Sequence, residues 1–325
     1  MEEKLQLNHP WLVAVWPGMG HVALNAGVYL LAKLGMTTIA EFDVNELFDV
    51  DSVEVQGGLI QPVRKPRNRL FLWTDPTKKR DLVVFVGEAQ PPAGKYTFCR
   101  HLVEFARGLG VERVFTFAAM ATRMHPEHPS RVFGAATDRV NLDQLVRLEL
   151  DLLEDGQVSG LNGVLLGAAV EAGLHGACLL GEMPHIFAQV PFPKASHAIL
   201  EAFKTITGID LDLTELAEQA SAVERQLGEI LAQVEEQYQE GQSGEEETED
   251  EDEESYSADV EEPAEEEEPP KPPLRRSTAR IRLEELFEAA VKDRTKAFEL
   301  KQELDRLGVF KEYEDRFLDL FKKPE

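Results

Sequence analysis

The sequence predicts an α/β fold followed by a helical appendage, and three observations carry that expectation. Residues 82–87 (LVVFVG) form a nearly unbroken apolar run of strand length, as a central parallel strand covered on both faces requires. Strand-like and helix-like segments alternate over residues 11–238, the order of a doubly wound layer structure. Residues 241–273 then hold 16 acidic residues and one lysine, so the folded part ends where that tract begins.

Taken in order, residues 11–16 (WLVAVW) read as a short apolar strand. Residues 20–34 read as a helix turning Val22, Ala23, Ala26, Leu30, Leu31 and Leu34 toward the core. Residues 37–43 give a second strand, and 58–63 and 69–74 flank a turn at Pro66 and read as a hairpin. A helix over 96–109 and a strand over 113–119 complete another strand-helix-strand unit, and 132–137 adds a strand before a helix starting near Asn141. Residues 163–172 are apolar almost all round, which suits a core helix with Ser159 or Asn162 as N-cap and Gly173 as its stop. Residues 177–180 follow as a buried strand that opens onto a loop, Gly181-Glu182-Met183-Pro184, where α/β proteins place ligand loops.

The helix expected over 214–238 spaces Leu216, Ala220, Val223, Leu227, Ile230 and Val234 alternately by four and three. That seam fits packing on its own domain or a subunit contact, with Leu227 and Val234 as the contact candidates. The expected division is therefore an α/β domain over 6–239, a disordered acidic linker over 240–273 and a small helical module over 274–325. The module turns Leu283, Leu286, Phe287, Ala290, Val291 and Phe298 to one face and begins with the basic Arg275, Arg276, Arg280 and Arg282.

Composition excludes several classes. The net charge is −26, and the acidic tract supplies −15 of it, which leaves −11 on the remaining chain. Such a surface does not seek phosphate backbones, so nucleic acid is not an expected partner. Cys99 and Cys178 sit in apolar contexts, as buried small hydrophobes in a reducing compartment, and no metal site is expected. No apolar run has membrane-spanning length and no signal peptide is evident, so the expected location is cytoplasmic.

Chemistry-bearing residues are few. Gly18-Met19-Gly20-His-Val-Ala23 is a Gly-x-Gly-x-x-Ala turn between a strand and a helix, with Glu41 and Asp43 after the next strand. These are the ingredients of a dinucleotide cradle, but a hairpin follows where that fold requires a second crossover helix. Glu88, Thr122 and Glu182 fall at expected strand C-terminal ends and would converge on one crevice, as acid-base groups or as hydrogen-bonded loop anchors. With Asn162 they complete the candidate ligand-binding set: Gly18, Met19, Gly20, Glu88, Thr122, Asn162 and Glu182. His125 and His128 are separated by prolines that prevent a helical ligand pair, and no nucleophile elbow or Gly-Lys-Ser phosphate loop is present. No catalytic residue and no cofactor is assigned.

The stretches WPGMGHVALNAGVYL, VGEAQPPAGKYTFCRHLVEFARGLGVERVFTFAAMATRM, VFGAATD, SGLNGVLLGAAVEAGLHGACLLGEMPH and TGIDLDLTELAEQASAVERQLGEI occur in that order over residues 10–236. Together they resemble the proteasome assembly chaperone 2 family. The resemblance implies a three-layer α/β/α sandwich with a mostly parallel sheet, no known catalysis, and members that assist or bind proteasome core particles. Proteasome-binding members end in a hydrophobic residue, a tyrosine and any residue. Here Lys323 and Pro324 stand in those two positions, so docking by that route is not expected. The leading expectation is a non-catalytic, homo-oligomeric protein-interaction or assembly-chaperone-like protein. The rival is a nucleotide or phosphate binder, or an enzyme, using the strand-end crevice.

Overall fold

The computed structural model describes residues 5–49, 53, 55–242 and 276–322; the acidic tract over 243–275 and the tail residues Lys323 and Pro324 lie outside them. Eight strands form one sheet in the order β2-β5-β6-β1-β7-β10-β8-β9. The strands are β1 (Trp11–Val15), β2 (Thr37–Glu41), β5 (Asn68–Trp73), β6 (Leu82–Gly87), β7 (Arg113–Thr122), β8 (Val132–Ala136), β9 (Asp151–Leu152) and β10 (His175–Pro184). The four central strands β6, β1, β7 and β10 run parallel; β5 is antiparallel to β2 and β6, and β8 is antiparallel to β10 and parallel to β9. Helices α1 (Val22–Lys33), α5 (Pro193–Thr207) and α6 (Thr214–Gln242) cover one face, and α2 (Lys95–Gly108) and α4 (Gly160–Glu171) the other; α3 (Arg139–Arg147) lies against β8. The sheet is mixed and flanked by helices on both faces.

Side-chain alternation sorts each central strand between two cores. Val13, Val15, Val84, Val86, Phe115, Phe117, Ala177 and Leu179 face α1 and α5. Leu12, Ala14, Trp16, Val83, Phe85, Val114, Cys178 and Leu180 face α2 and α4. Burial of these runs on both faces is why the central strands read as continuous hydrophobic segments. Helix α1 packs against β1 so closely that a Cβ on Gly27 would lie 2.6 Å from a methyl of Val15.

Two expectations about strands are corrected. Residues 58–63 do not pair with 69–74. Instead a separate hairpin forms from β3 (Val55–Gln56) and β4 (Leu59–Ile60), and β5 pairs antiparallel with β2 and β6. The cause is the Gly57-Gly58 pair, whose φ of +59° and +79° makes the two-residue turn that sequences such as QGGL favour. Likewise, residues 181–184 are not a loop. They extend β10 to ten residues paired in register with β7 as far as Pro184 opposite Thr122. Gly181 is needed there because a Cβ would lie 2.7 Å from the Ala195 carbonyl oxygen of α5.

The C-terminal segment contributes α7 (Arg276–Lys292), α8 (Ala297–Arg306) and α9 (Phe310–Asp319). Phe287, Phe298, Leu304, Phe317 and Phe321 join the same core as α1, α5 and α6. Phe298 meets Tyr29 edge-on at 4.5 Å between ring centroids, and Phe321 meets Phe71 at 6.0 Å. This contact explains why every residue of α1 from Val22 to Ala32 is buried: sheet lies on one side and helices on the other. The amide of Thr38 donates to the Phe321 carbonyl at 2.8 Å, so the C-terminal segment also covers part of the β2 edge. Beneath it, the fully buried Lys301 ammonium pairs with Asp305 at 2.5 Å and donates to Asn25 Oδ1 at 3.0 Å.

Candidate functional site

The glycine turn joins β1 to α1 at the strand C-terminal ends. Gly18 is extended, and Met19–His21 form a 3₁₀ turn in which Gly20 has φ +57°. A side chain at Gly20 would meet Met183 Sδ at 2.7 Å, so the second glycine serves close packing of β10 against the turn. Its amide is already engaged. Gly20 N–H donates to Ala188 O at 2.7 Å, and Phe192 N–H donates to Gly20 O at 2.9 Å. His21 N–H donates to Gly18 O at 3.0 Å, and Val22 N–H to Met19 O. A phosphate cradle needs inward-pointing free amides. In this turn three successive amides are spent on backbone carbonyls, which does not fit a pyrophosphate.

What the turn offers outward is apolar. Met19 is 44% exposed, and on the loop that Gly20 holds, Ile186 and Val190 are 54% and 39% exposed. Behind them His21, itself at φ +50°, has a buried and unpartnered Nδ1. Burial and then the nearby Lys301 ammonium lower its pKa, against the pull of Asp305, so the imidazole is neutral at pH 7.

The two strand-end carboxylates do not meet. Glu182 shares the parity of Cys178 and Leu180 and projects on the α2/α4 side; Glu88 continues that of Val84 and Val86 on the α1 side. Strands β1 and β7 also separate β6 from β10, a spacing of about 14 Å. The expectation of one crevice holding both acids is therefore corrected by sheet order and pleat.

Each acid is enclosed in its own group. Glu182, 3% exposed, accepts two bonds from Arg131, from Nε and Nη2 at 2.8 Å each, and one from Thr122 Oγ1 at 2.8 Å. The Arg131 bonds hold its carboxyl below the usual range despite burial. Thr122 and Glu182 are thus brought together, as hydrogen-bonded anchors. A carboxylate held this way has no proton to give at neutral pH and is already clamped, which suits positioning more than acid-base work.

Glu88 accepts from the Arg67 amide at 2.9 Å, with Arg64 and Arg69 each 3.6 Å away. Facing it from α9 are Glu314, Asp315 and Lys311; Lys311 Nζ donates to the Glu88 carbonyl at 3.2 Å, and Asp315 bonds Arg69 and pairs with Arg64 at 2.5 Å. Burial, and then the adjacent Asp315 carboxylate, raise the Glu88 pKa. Burial also works to raise Asp315, but its hydrogen bond with Glu88 and the arginines outweigh it and hold that carboxyl low. Glu314 is 2% exposed with Oε1 unpartnered, and burial together with Glu88 pushes its pKa up to about 7.

Asn162 stands apart on the first turn of α4, where its carbonyl accepts from Thr116 Oγ1 at 3.2 Å and its side-chain Oδ1 is buried without a partner. The first-turn amide of Leu161 is capped by Gln90 Oε1 at 3.1 Å, while Ser159 makes no side-chain cap bond. Leu227 is 3% exposed within the core shared with α5, so the seam of α6 at this position is intramolecular; the side chain of Val234 lies outside the described residues. Sequence reasoning passed over Arg131, Arg69, Glu314 and Asp315. The run RKPRNR at 64–69 was a visible basic signal, whereas its partners on α9 lie about 250 residues further along the chain.

An open cavity of about 380 Å³ between α4 and β8, lined by Ala135, Val158, Gly163, Leu166, Val170 and Cys178 among others, has no charged side chain in its wall. Burial raises the Cys178 thiol to about 12, which keeps it protonated. Among the described residues, no three His, Cys, Asp or Glu side chains are gathered as a metal would need, and no helix is long and apolar enough to cross a membrane.

A mixed sheet between helical layers, with its strand-end turn closed by its own backbone, defines an α/β sandwich without a nucleotide cradle. The PAC2 family model matches residues 12–231, and the chain belongs to that family. Pyrococcus furiosus PbaB, described as an archaeal proteasome activator, is similar at 25% identity and TM-score 0.59, over 72% of this chain and 96% of that one. A Mycobacterium tuberculosis proteasome-assembly chaperone homologue is similar at 25% identity and TM-score 0.59, over 68% and 94%. An uncharacterised protein of Methanocaldococcus jannaschii is 24% identical over 233 residues, 69% of this chain and 84% of the relative.

Proposed function

We propose that this chain is a non-catalytic, oligomeric protein-interaction protein of the assembly-chaperone kind, acting through the strand-end loops of β1 and β10. One observation carries the reading: the Gly20 amide bonds to Ala188, which uses up the turn's anion-binding capacity and presents Met19, Ile186 and Val190 together to the outside. Exposed apolar side chains on one loop cluster mark protein contacts more than small-ligand sites. The names of the two solved relatives, an activator of proteasomes and an assembly-chaperone homologue, support a protein partner of that class. Docking does not depend on a hydrophobic-Tyr-X tail in this reading; the partner's groove receives the Met19 and Ile186 rim.

A photo-crosslinking residue in place of Ile186 in the full chain tests this. It is expected to capture one discrete protein partner, and a Met19→Lys change in the same chain is expected to abolish capture with circular dichroism unchanged. Crosslinks spread over unrelated proteins, or capture indifferent to Met19→Lys, would contradict the assignment of this rim.

A further inference from the structure

Strand β8 is covered by helix on one face only. Toward α1 and α5 it carries α3, with Leu145 so close over the strand that a Cβ on Gly134 would lie 2.7 Å from its Cδ1. On the opposite face Ala135 lies beside Cys178, and no described helix extends over β8 beyond α4. The layer is one helix short there, and the open cavity of about 380 Å³ occupies that place. Ala135 and Thr137 form its floor. Its wall is the outer side of α4, where a Cβ on Gly167 would meet nothing within 4 Å and Val170 is 49% exposed. Carboxylates frame this apolar slot at both ends. At one end the chain leaves β9, beside β8, through Asp151 and the exposed Glu154 and Asp155 before it reaches Val158 in the wall. At the other, Glu171 follows Val170 and accepts from Tyr96, and Asp138 follows Thr137 and caps α3. The basic groups beside them are already committed: Arg131 clamps Glu182 and reaches Asp151 at 3.5 Å, Arg139 pairs with Asp143 at 2.9 Å, and His175 lies 3.2 Å from Asp138.

We propose that this slot docks an amphipathic basic helix of a partner protein. Its apolar face would lie on Ala135, Gly167 and Val170, and lysines or arginines flanking that face would meet Glu154 and Asp155 at one end and Glu171 at the other. The contact is separate from the Met19 and Ile186 rim and does not rest on it. A helix fits because α3 takes the equivalent place on the other face of the same strand, and because the small Ala135 and Gly167 let a helix backbone come close. Charge selects a basic one. A second copy meeting the slot about a two-fold axis would bring the same carboxylates face to face. The chain's own basic helix start, with Arg280 and Arg282, is not free to fill it, since α7 buries Leu283, Phe287 and Ala290 in the core on the other side of the sheet.

The test is the fluorescence anisotropy of two labelled amphipathic helical peptides of equal length, one of Ala, Leu and Lys and one of Ala, Leu and Glu, titrated with the full chain at physiological salt. The Lys peptide is expected to bind and the Glu peptide not. Gly167→Leu fills the slot from a helix position where a side chain has room, so circular dichroism should stay native while the Lys peptide weakens by about tenfold or more. Glu154→Lys combined with Asp155→Lys is expected to weaken it too and to flatten its dependence on salt. The acidic tract over 243–275 is untouched in these variants, so Lys-peptide binding indifferent to Gly167→Leu would belong to that tract and overturn the proposal. Equal binding of both peptides, or binding of neither, would also overturn it. A light-scattering mass above the single-chain 36.4 kDa that falls to it in Gly167→Leu would give the slot to a second copy and overturn the basic helix.

Discussion

Phe298→Ala is expected to destabilise the protein by about 3–5 kcal/mol, the range for removing a buried aromatic ring. The ring is 2% exposed and meets Tyr29 of α1 edge-on, so its loss opens a cavity between α8 and the first helix of the α/β layer. Because Phe298 shares one core with Phe115, Phe203 and Leu179, urea unfolding should remain a single transition displaced to lower denaturant. A loss below about 1 kcal/mol, or an early separate transition that leaves the α/β signal in place, would show that the C-terminal helices fold independently.

The second large effect is a fall in stability as pH rises through neutrality, centred on the acids between β6 and α9. Glu314 has its pKa raised from 4.5 to about 7 in the folded chain by burial and by Glu88, against Lys311, Arg69 and Lys301; that of Glu88 is raised as well. A group whose folded pKa is raised gives stability that is complete below its unfolded value. That stability is lost as pH climbs through the folded value, here from about 4.5 to above 7. At roughly 1.4 kcal/mol per pK unit, Glu314 accounts for about 3 kcal/mol over that span. Glu314→Gln keeps the shape and cannot ionise, so urea midpoints measured between pH 5 and 8.5 should slope downward in the wild type and much less in the variant. Parallel profiles would show that Glu314 does not titrate in this interval.

The fold was legible where local pattern and tertiary demand agree. Residues 82–87 announce a strand covered on both faces because both faces are in fact covered. Residues 163–172 have the composition of a helix buried all round, yet only Leu165, Leu166, Ala168 and Ala169 are buried there and Val170 is 49% exposed, because nothing among the described residues packs on the outer side of α4 as the apolar pattern leads one to expect. Glu182 was found at a strand end, but its role depends on which face it takes. That follows from the parity of β10 and from two strands, β1 and β7, lying between it and β6, neither of which is local information. Gly181-Glu182-Met183-Pro184 has loop composition yet is strand, since Gly181 is set by α5 and Met183 fills the space beside Gly20. The Gly57-Gly58 turn, by contrast, was written in the sequence as a two-residue hairpin signal. The pairing of Arg69 with Asp315 spans 246 residues, across an acidic tract, and nothing near either residue discloses the other.

The glycine turn divides the protein-docking reading from the ligand reading, and the most direct test is the melting temperature of the full chain with millimolar inorganic phosphate, ATP, NAD or NADP. Since the amides of Gly20, His21 and Val22 already donate to Ala188, Gly18 and Met19, no shift is expected with any of the four. A ligand held at micromolar affinity would be present at about 1,000 times its dissociation constant and would add about 4 kcal/mol, a rise well above the error of a melt. A reproducible increase that disappears in a folded Gly20→Val variant would contradict the assignment and make the strand-end turn a ligand site.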